Sequence, residues 1–264
     1  MSTFDDAVSV TRKAPDRFGA GISEKFNVGP VPNGGYVMSL ALNAMLQNFP
    51  GREPLTTTMH YLRPSQNGDV EITVETVKEG KRYATAMARL LQGGKETARL
   101  LATFGTHDPA PEKKRLVNGK PPELVPPDEG IVVPPNDIFV IGRQFDMRFQ
   151  PGTVDFMQGK QGDRALIAGY MRFADGREPD VRALPLLCDA MPPPLLNVVP
   201  FSWVPTIELT THVRARPVPG WIRFKFESRF IFDGLLEEDG ELWDEAGTLV
   251  AQSRQLAQLP NSPT

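Results

Sequence analysis

The alternation of apolar and polar side chains predicts a series of β-strands on either side of a proline-rich segment. In the first half, segments 55–64 and 69–80 alternate clearly, which is typical of strands with one buried face. Segments 82–94 and 96–105 follow, and Gly or Pro turns bound all four, so we expect antiparallel strands. The composition of 82–94 would also suit a helix. An earlier segment, 17–26, is predicted to contain short strands.

One segment in each half has the composition of a buried helix. The last part of segment 31–49 is rich in Leu, Ala and Met and has no internal Gly or Pro. Because it is apolar on nearly every side, we expect a helix that is buried on most sides. In the second half, segment 180–191 predicts a shorter apolar helix, although Pro185 lies inside it.

The second half repeats the order of elements found in the first. The sequences LRP at 62–64 and RARP at 214–217 end the same strand in each half, and both halves close with a Gly turn and a strand. An offset of about 150 residues indicates an internal duplication. Two units, each a sheet curled around one apolar helix, would then form one continuous sheet with two central helices. The predicted strands of the second half are 143–149, 165–173, 205–217, 221–232, 240–247 and 248–259.

A proline-rich segment separates the two halves. It is crowded with Pro and charged residues and shows little periodicity, which predicts a connector without a core of its own. We therefore predict three parts: an N-terminal repeat over 1–106, a linker over 107–137, and a C-terminal repeat over 138–264.

Composition narrows the classes of function. A net charge of −3 gives no basic footprint for nucleic acid, and no apolar run reaches the ~20 residues of a membrane-spanning helix. The first residues lack the pattern of a signal peptide. One cysteine and three histidines exclude a disulfide framework and provide no spacing typical of a metal site. We expect a cytoplasmic protein that uses no metal and no cofactor.

One carboxylate occupies an unusual place in the pattern. Asp189 lies among apolar residues in the segment PLLCDAMPPP, beside Cys188 and just before a run of prolines. Apolar surroundings would raise the pKa of this carboxyl group and make it a better base, and a position in the last turn of a helix would act in the same direction. An Asp near a helix end is more often solvated or capping. We interpret Cys188 as a small core residue.

Several motifs occur in a characteristic order over both halves: PNGGYVMSLALNAM and HYLRP, then VKEGKRYATAMARLLQGG, then TIELT and GTLVAQSRQ. In this order they resemble the acyl-CoA thioesterase II-like family of double-hotdog proteins. The resemblance implies an α+β fold, the double hotdog, in which a continuous antiparallel sheet wraps around two central helices. It also implies three site residues on the second repeat: Asp189 on the second helix, Thr206 opening the next strand, and Gln255 in the last strand.

The chain departs from that family at several positions. Glu208 and Leu209 stand where an Asp-His pair is usual, and Thr58 stands where a His aligns. These differences place the chain in a divergent branch and bear on chain-length preference more than on chemistry.

The three residues would suit direct hydrolysis of a thioester by water. Asp189 could take a proton from the water, while Thr206 and Gln255 could hold the water in position without competing for charge. The segment NGGY at 33–36 lies just before the first helix, where free backbone N–H groups favour negative charge. We therefore predict that Gly34, Gly35 or Tyr36 donates a backbone N–H to the thioester oxygen.

Simpler interpretations remain for the individual residues. Thr206 could be an ordinary strand residue, Gln255 an outward polar position, and Asn33-Gly34-Gly35 only a turn before a helix. At the level of function, we predict a hydrolase acting on an acyl-CoA or acyl-pantetheine thioester. The alternatives are a non-catalytic acyl-thioester or lipid-binding protein and, ranked last, an enoyl-CoA hydratase. An open sheet edge could also pair two copies into a homodimer.

Overall fold

A computed structural model describes residues 2–107, 118–134, 136–200 and 202–259. Residues 108–117 and 135 of the predicted linker lie outside the described residues. The helices are α1 (Thr3–Ala7), α2 (Gly34–Leu46) and α3 (Leu184–Leu187). The strands are β1 (Thr11–Ala14), β2 (Arg17–Ile22), β3 (Asn27–Val28), β4 (Val31–Pro32), β5 (Glu53–Tyr61), β6 (Gly68–Glu79), β7 (Ala84–Gln92), β8 (Lys95–Gly105), β9 (Phe145–Phe149), β10 (Leu166–Phe173), β11 (Thr206–Val213), β12 (Ile222–Glu227), β13 (Ile231–Phe232), β14 (Leu235–Trp243) and β15 (Leu249–Gln258).

Thirteen of the described strands form one large antiparallel sheet with a near-symmetric order, and β3 and β4 pair separately as a two-stranded sheet. That order is β1-β2-β6-β7-β8-β5-β11-β15-β14-β12-β10-β9, with β13 added beside β14. Each half supplies one side, and the halves join where β5 pairs with β11. At this junction Thr58 and Thr210 share a hydrogen bond of 2.9 Å between their hydroxyl groups. The arrangement confirms the double hotdog predicted from the sequence, and 82–94 is a strand.

Helix α2 lies inside the curved sheet, as its apolar composition predicts. Ten of its residues are buried, and it packs against β5, β6, β7 and β8 as well as against α3. Asn33 caps its first turn by accepting a hydrogen bond from the N–H of Tyr36. Among the described residues, no helix has the length and apolarity needed to cross a membrane.

The second central helix is much shorter than the sequence predicts. The helical hydrogen bonding expected over 180–191 is confined to α3, a single turn with Pro185 near its start. Pro185 lacks a backbone N–H and is tolerated only in the first turn, so the helix begins beside it. Pro192 in turn biases Met191 away from helical geometry. Asp189 therefore lies just beyond the helix and outside its last turn.

Two strand boundaries also differ from the prediction. The strand expected over 221–232 ends at Glu227, and only the short β13 follows. The strand expected over 240–247 begins earlier, at Leu235, and ends at Trp243. The earlier start places Glu238 on the sheet.

The described part of the linker packs along the second repeat. Ile131 forms a β-bridge with Phe149, and the N–H of Val125 donates to the side chain of Gln150. Ile131 and Val133 also contact the main core. Several residues of 118–134 are therefore anchored to the second half.

Arg177 anchors the segment that leads into α3. Its guanidinium donates to Asp5 at 3.1 Å and to Asp180 at 2.8 Å. It also stacks over the rings of Phe4 and Phe173. Only 8% of its side chain is exposed, so these contacts are shielded from water. The cluster joins the N-terminal α1 to the start of the loop that carries Asp189.

We predict that Arg177→Ala lowers the free energy of unfolding by about 2 kcal/mol, because it removes charged hydrogen bonds and leaves acidic groups without their partner. The matched control is Arg164→Ala, whose exposed pair with Glu227 should contribute less than about 0.5 kcal/mol. Urea unfolding of both variants tests this expectation, and equal losses in the two would contradict it.

Candidate active site

Asp189 of the second repeat is held by the helix N-terminus of the first repeat. Its Oδ2 accepts hydrogen bonds from Asn33 Nδ2 at 2.9 Å and from the N–H of Gly35 at 2.7 Å. Asn33 also donates to the backbone oxygen of Asp189 at 2.7 Å. Only glycine fits at position 35, because a Cβ there would lie 2.5 Å from the carbonyl oxygen of Pro185. The NGG sequence is thus required by the close approach of α2 to α3.

Opposing influences set the pKa of the Asp189 carboxyl group. Burial raises it, while hydrogen bonds from Gly35, Asn33 and Gly34 lower it, and the pKa is about 6. The helix end that faces the carboxylate is the N-terminus of α2, which favours negative charge. The dipole therefore opposes the effect of burial, in contrast to the helix C-terminus expected from the sequence. Asp189 is ionised at neutral pH and retains partial exposure to water.

Thr206 and Gln255 meet through a direct hydrogen bond, Thr206 Oγ1 donating to Gln255 Oε1 at 2.8 Å. The register between β11 and β15 shifts between Thr206 and Glu208. Counting back from buried Leu209, strict alternation would turn Thr206 outward. The bulge reverses that direction, which is a common way to re-aim a side chain. Gln255 itself is 7% exposed, so it is not the outward polar position of the simpler interpretation.

A second carboxyl group lies beside this pair. Glu238 on β14 is directly opposite Gln255 on β15, and it is 6% exposed. Burial and the negative charge of Asp189 raise the pKa of Glu238 to about 8. A hydrogen bond with the Gln255 side chain lowers this pKa but does not offset the two other effects. Its Oε2 has no hydrogen-bond partner among the described residues. Glu238 is therefore mostly protonated at neutral pH. It interacts both with the Gln255 side chain and with the charge of Asp189.

Tyr61, at the end of β5, also lies near Asp189. Its hydroxyl is buried, and within the described part of the chain it has no hydrogen-bond partner. Burial and the nearby charges of Asp189 and Glu208 raise the pKa of the phenol well above its usual value. The hydroxyl therefore stays protonated and remains a donor.

The backbone N–H groups predicted to bind the thioester oxygen already have acceptors. Gly35 donates to Asp189, and the N–H of Gly34 also stabilises the ionised carboxyl group. Tyr36 donates to Asn33 Oδ1. The Tyr36 side chain is buried in the core, where its hydroxyl donates to the backbone oxygen of Ala7. Each N–H would have to leave its acceptor before it could bind a substrate.

Cys188 lies next to Asp189 but belongs to the core. It is 1% exposed, and burial raises the pKa of its thiol to about 12. A neutral buried thiol is a poor nucleophile, which agrees with the interpretation of Cys188 as a core residue. Over the described ranges, no group of three or more His, Cys, Asp or Glu side chains is arranged to hold a metal ion.

Two residues of this site have no role in the prediction from sequence. Tyr61 is part of the motif HYLRP, and alternation along β5 places it on the same inner face as buried Met59. Glu238 was missed because the strand was predicted to begin at residue 240. Extending the alternation back from Leu242 would have placed Glu238 on the inner face.

Comparison with known proteins gives a consistent picture. Residues 22–105 match the model of an acyl-CoA thioesterase N-terminal domain, and residues 120–259 match that of an acyl-CoA thioesterase C-terminal domain. The structure is similar to a proposed thioesterase II from Thermobifida fusca, with 30% identity, coverage of 99% of this chain and 98% of that chain, and a TM-score of 0.91. A protein of unknown function with a hot dog fold from Alicyclobacillus acidocaldarius shares the fold, with 21% identity, full coverage of both chains and a TM-score of 0.86. An uncharacterized protein of Mycobacterium tuberculosis is 26% identical over 269 residues, covering 90% of this chain and 89% of the relative.

We predict that Glu238→Gln reduces the loss of stability at alkaline pH. The pKa of Glu238 is raised in the folded state, from 4.5 to about 8. Its stabilising contribution is therefore complete below the unfolded pKa and is lost as the pH rises through the folded one. Melting temperatures between pH 6.5 and 9 should fall less in Glu238→Gln than in the wild type.

The exposed Glu71 on β6 provides the control for this comparison. Glu71→Gln should leave the pH dependence of the melting temperature as it is in the wild type. A Glu238→Gln variant that loses stability over the same pH range as steeply as the wild type would show that Glu238 is not buried in protonated form.

Proposed function

The chain belongs to the acyl-CoA thioesterase family, and we propose that it hydrolyses an acyl-CoA or related acyl-pantetheine thioester through water activated by Asp189. The products are the free acid and the thiol. The observation that carries this proposal is the Asp189 carboxylate, which is held between the two repeats, is ionised at neutral pH and has a pKa of about 6. A base with a pKa near the working pH combines availability with proton affinity.

The proposed reaction needs one water molecule and no covalent intermediate. Asp189 takes a proton from the water as the water oxygen bonds to the thioester carbon. The electrons of the carbonyl double bond move to the oxygen and form a tetrahedral intermediate. When they return, the carbon–sulfur bond breaks, and the departing sulfur receives the proton held by Asp189. Atoms and charge balance, and the carboxylate is regenerated.

Thr206 and Gln255 are proposed to position the water. The Thr206 hydroxyl donates a hydrogen bond to Gln255 Oε1, which leaves the lone pairs of the hydroxyl oxygen free to accept a hydrogen bond from water. The Gln255 amide is directed toward Glu238. In this proposal Glu238 fixes the orientation of the amide, and because it is protonated it adds no second negative charge beside the nucleophile.

We predict that Asp189→Asn lowers kcat by about 10²-fold or more, since general base catalysis typically contributes 10²–10⁴-fold. CoA release from a panel of short- to long-chain acyl-CoAs provides the measurement. Asp16→Asn, which changes an exposed carboxylate in the β1–β2 turn, is the matched control and should retain full activity.

The outcomes of this panel separate the hypotheses. Wild-type turnover that persists in Asp189→Asn would keep the activity and remove Asp189 as the base. Tight binding of acyl-CoA by the wild type without turnover of any thioester would instead indicate a non-catalytic binding protein.

We also predict a pH dependence set by the same group. Because Asp189 must be ionised to accept a proton, kcat/KM should fall as the pH drops below about 6, the pKa of this carboxyl group. The acid limb should titrate as a single group near that value, and initial rates from pH 4.5 to 8 test this. A limb centred near pH 4 would mean that the base is an ordinary exposed carboxylate.

A further inference from the structure

We propose that Tyr61 is a catalytic residue whose phenol donates a hydrogen bond to the thioester carbonyl oxygen and stabilises the oxyanion that forms there. The inference rests on the proposed hydrolysis and identifies the group that receives the negative charge. It starts from an imbalance in the site: the reaction needs a free donor, and the backbone donors near Asp189 are already engaged.

The backbone donors near Asp189 are not free to bind a substrate. A tetrahedral intermediate develops negative charge on one oxygen, and a donor fixed in advance typically contributes 10²–10³-fold to the rate. The N–H groups of Gly35 and Tyr36 donate to Asp189 and Asn33 at 2.7 and 2.9 Å. Moving either one to the substrate would remove support from the base or from the helix cap. An independent donor is therefore required.

The Tyr61 hydroxyl is buried and has no hydrogen-bond partner among the residues that the structure describes. An unsatisfied buried hydroxyl costs free energy, and such exceptions need an explanation. A substrate oxygen that arrives at this point would supply the missing acceptor.

The Tyr61 hydroxyl lies close to the Asp189 carboxylate. Tyr61 Oη lies 2.8 Å from the point that a Cβ on Gly34 would occupy, and Asp189 Oδ2 lies 3.1 Å from the same point. The two oxygens thus lie close together on the same side of Gly34, yet no hydrogen bond between them is present among the described contacts. A water held by Asp189 and a carbonyl oxygen held by Tyr61 would therefore be neighbours, as attack on the carbonyl carbon requires.

Glu238 is a less suitable donor to the carbonyl oxygen than Tyr61. Glu238 Oε2 also has no partner among the described residues, but Glu238 lies opposite Gln255 on the neighbouring strand. That is the side of the site where the water is positioned. Tyr61 belongs to β5 of the first repeat, so the base and the oxyanion donor come from different repeats. A side chain at position 34 would collide with the Tyr61 hydroxyl, so Gly34 allows both oxygens to approach the start of α2.

The test compares Tyr61→Phe with two other tyrosine variants. Tyr61→Phe should lower kcat by about 10²-fold with little change in KM, because the hydrogen bond strengthens as charge develops. Its melting temperature should stay the same or rise, since the hydroxyl has no partner to lose. Tyr83→Phe, at a position 57% exposed, should change neither quantity. Tyr36→Phe loses hydrogen bonds to Ser23 and Ala7 and should melt at a lower temperature.

A second measurement observes the hydrogen bond to the carbonyl directly. In slowly reacting Asp189→Asn with Tyr61 intact, the infrared carbonyl stretch of a bound acyl-CoA should shift to lower frequency than in water. The shift should be lost in the double variant Asp189→Asn/Tyr61→Phe. An unshifted carbonyl in Asp189→Asn, or a wild-type kcat in Tyr61→Phe, would overturn the proposal while leaving the hydrolysis in place. A wild type without turnover of any thioester would instead refute the proposed function itself, and this inference with it.

Discussion

The contact between the Asp189 carboxylate and the N-terminus of α2 is the constraint on which the site depends. It joins the second repeat to the first, and it exists only because Gly35 lets the chain around Pro185 approach the helix start. The same contact keeps a poorly solvated carboxylate ionised, since hydrogen bonds and the helix dipole offset part of the cost of burial. Without the close approach, the acid would be either solvated or neutral, and neither form would be a base tuned near neutral pH.

The charge of Asp189 affects the protonation of Glu238, the second buried acid of the site. Two carboxyl groups near each other in apolar surroundings do not both ionise readily, so their pKa values separate. Asp189 has hydrogen-bond donors at a helix start, whereas Glu238 has one amide donor and an oxygen that has no partner among the described residues. The proton therefore resides on Glu238, and the site holds one base and one neutral acid at the same pH.

The sequence predicts the fold well because the fold follows from local periodicity. Alternation located the strands of both repeats, and the apolar composition of 31–49 located α2. The family resemblance named Thr206 and Gln255, which the structure joins by a hydrogen bond. Extended alternation would have placed Tyr61 and Glu238 on the inner face, but their approach to Asp189 depends on contacts distant in sequence, as does the bulge that turns Thr206 inward. These features are set by neighbouring strands, and local periodicity does not contain them.

Duplication explains why a single site can be this polar without loss of the core. The inner face of β14 and β15 carries Glu238 and Gln255, whereas the buried residues of the corresponding strands of the first repeat, β7 and β8, are apolar apart from Thr97 and carry no ionisable group. A polar site on both sides would require twice the burial of unsatisfied groups, each of which costs stability. With the repeats fused in one chain, the first keeps an apolar core and offers a helix N-terminus and one phenol, while the second carries the acids and the amide. The asymmetric division of labour is available to a fused pair but not to two identical subunits, whose two sites would necessarily be the same. The buried apolar residues of the first repeat's inner face are Ala84, Ala86, Ala88, Leu90, Ala98, Leu100, Ala102 and Phe104.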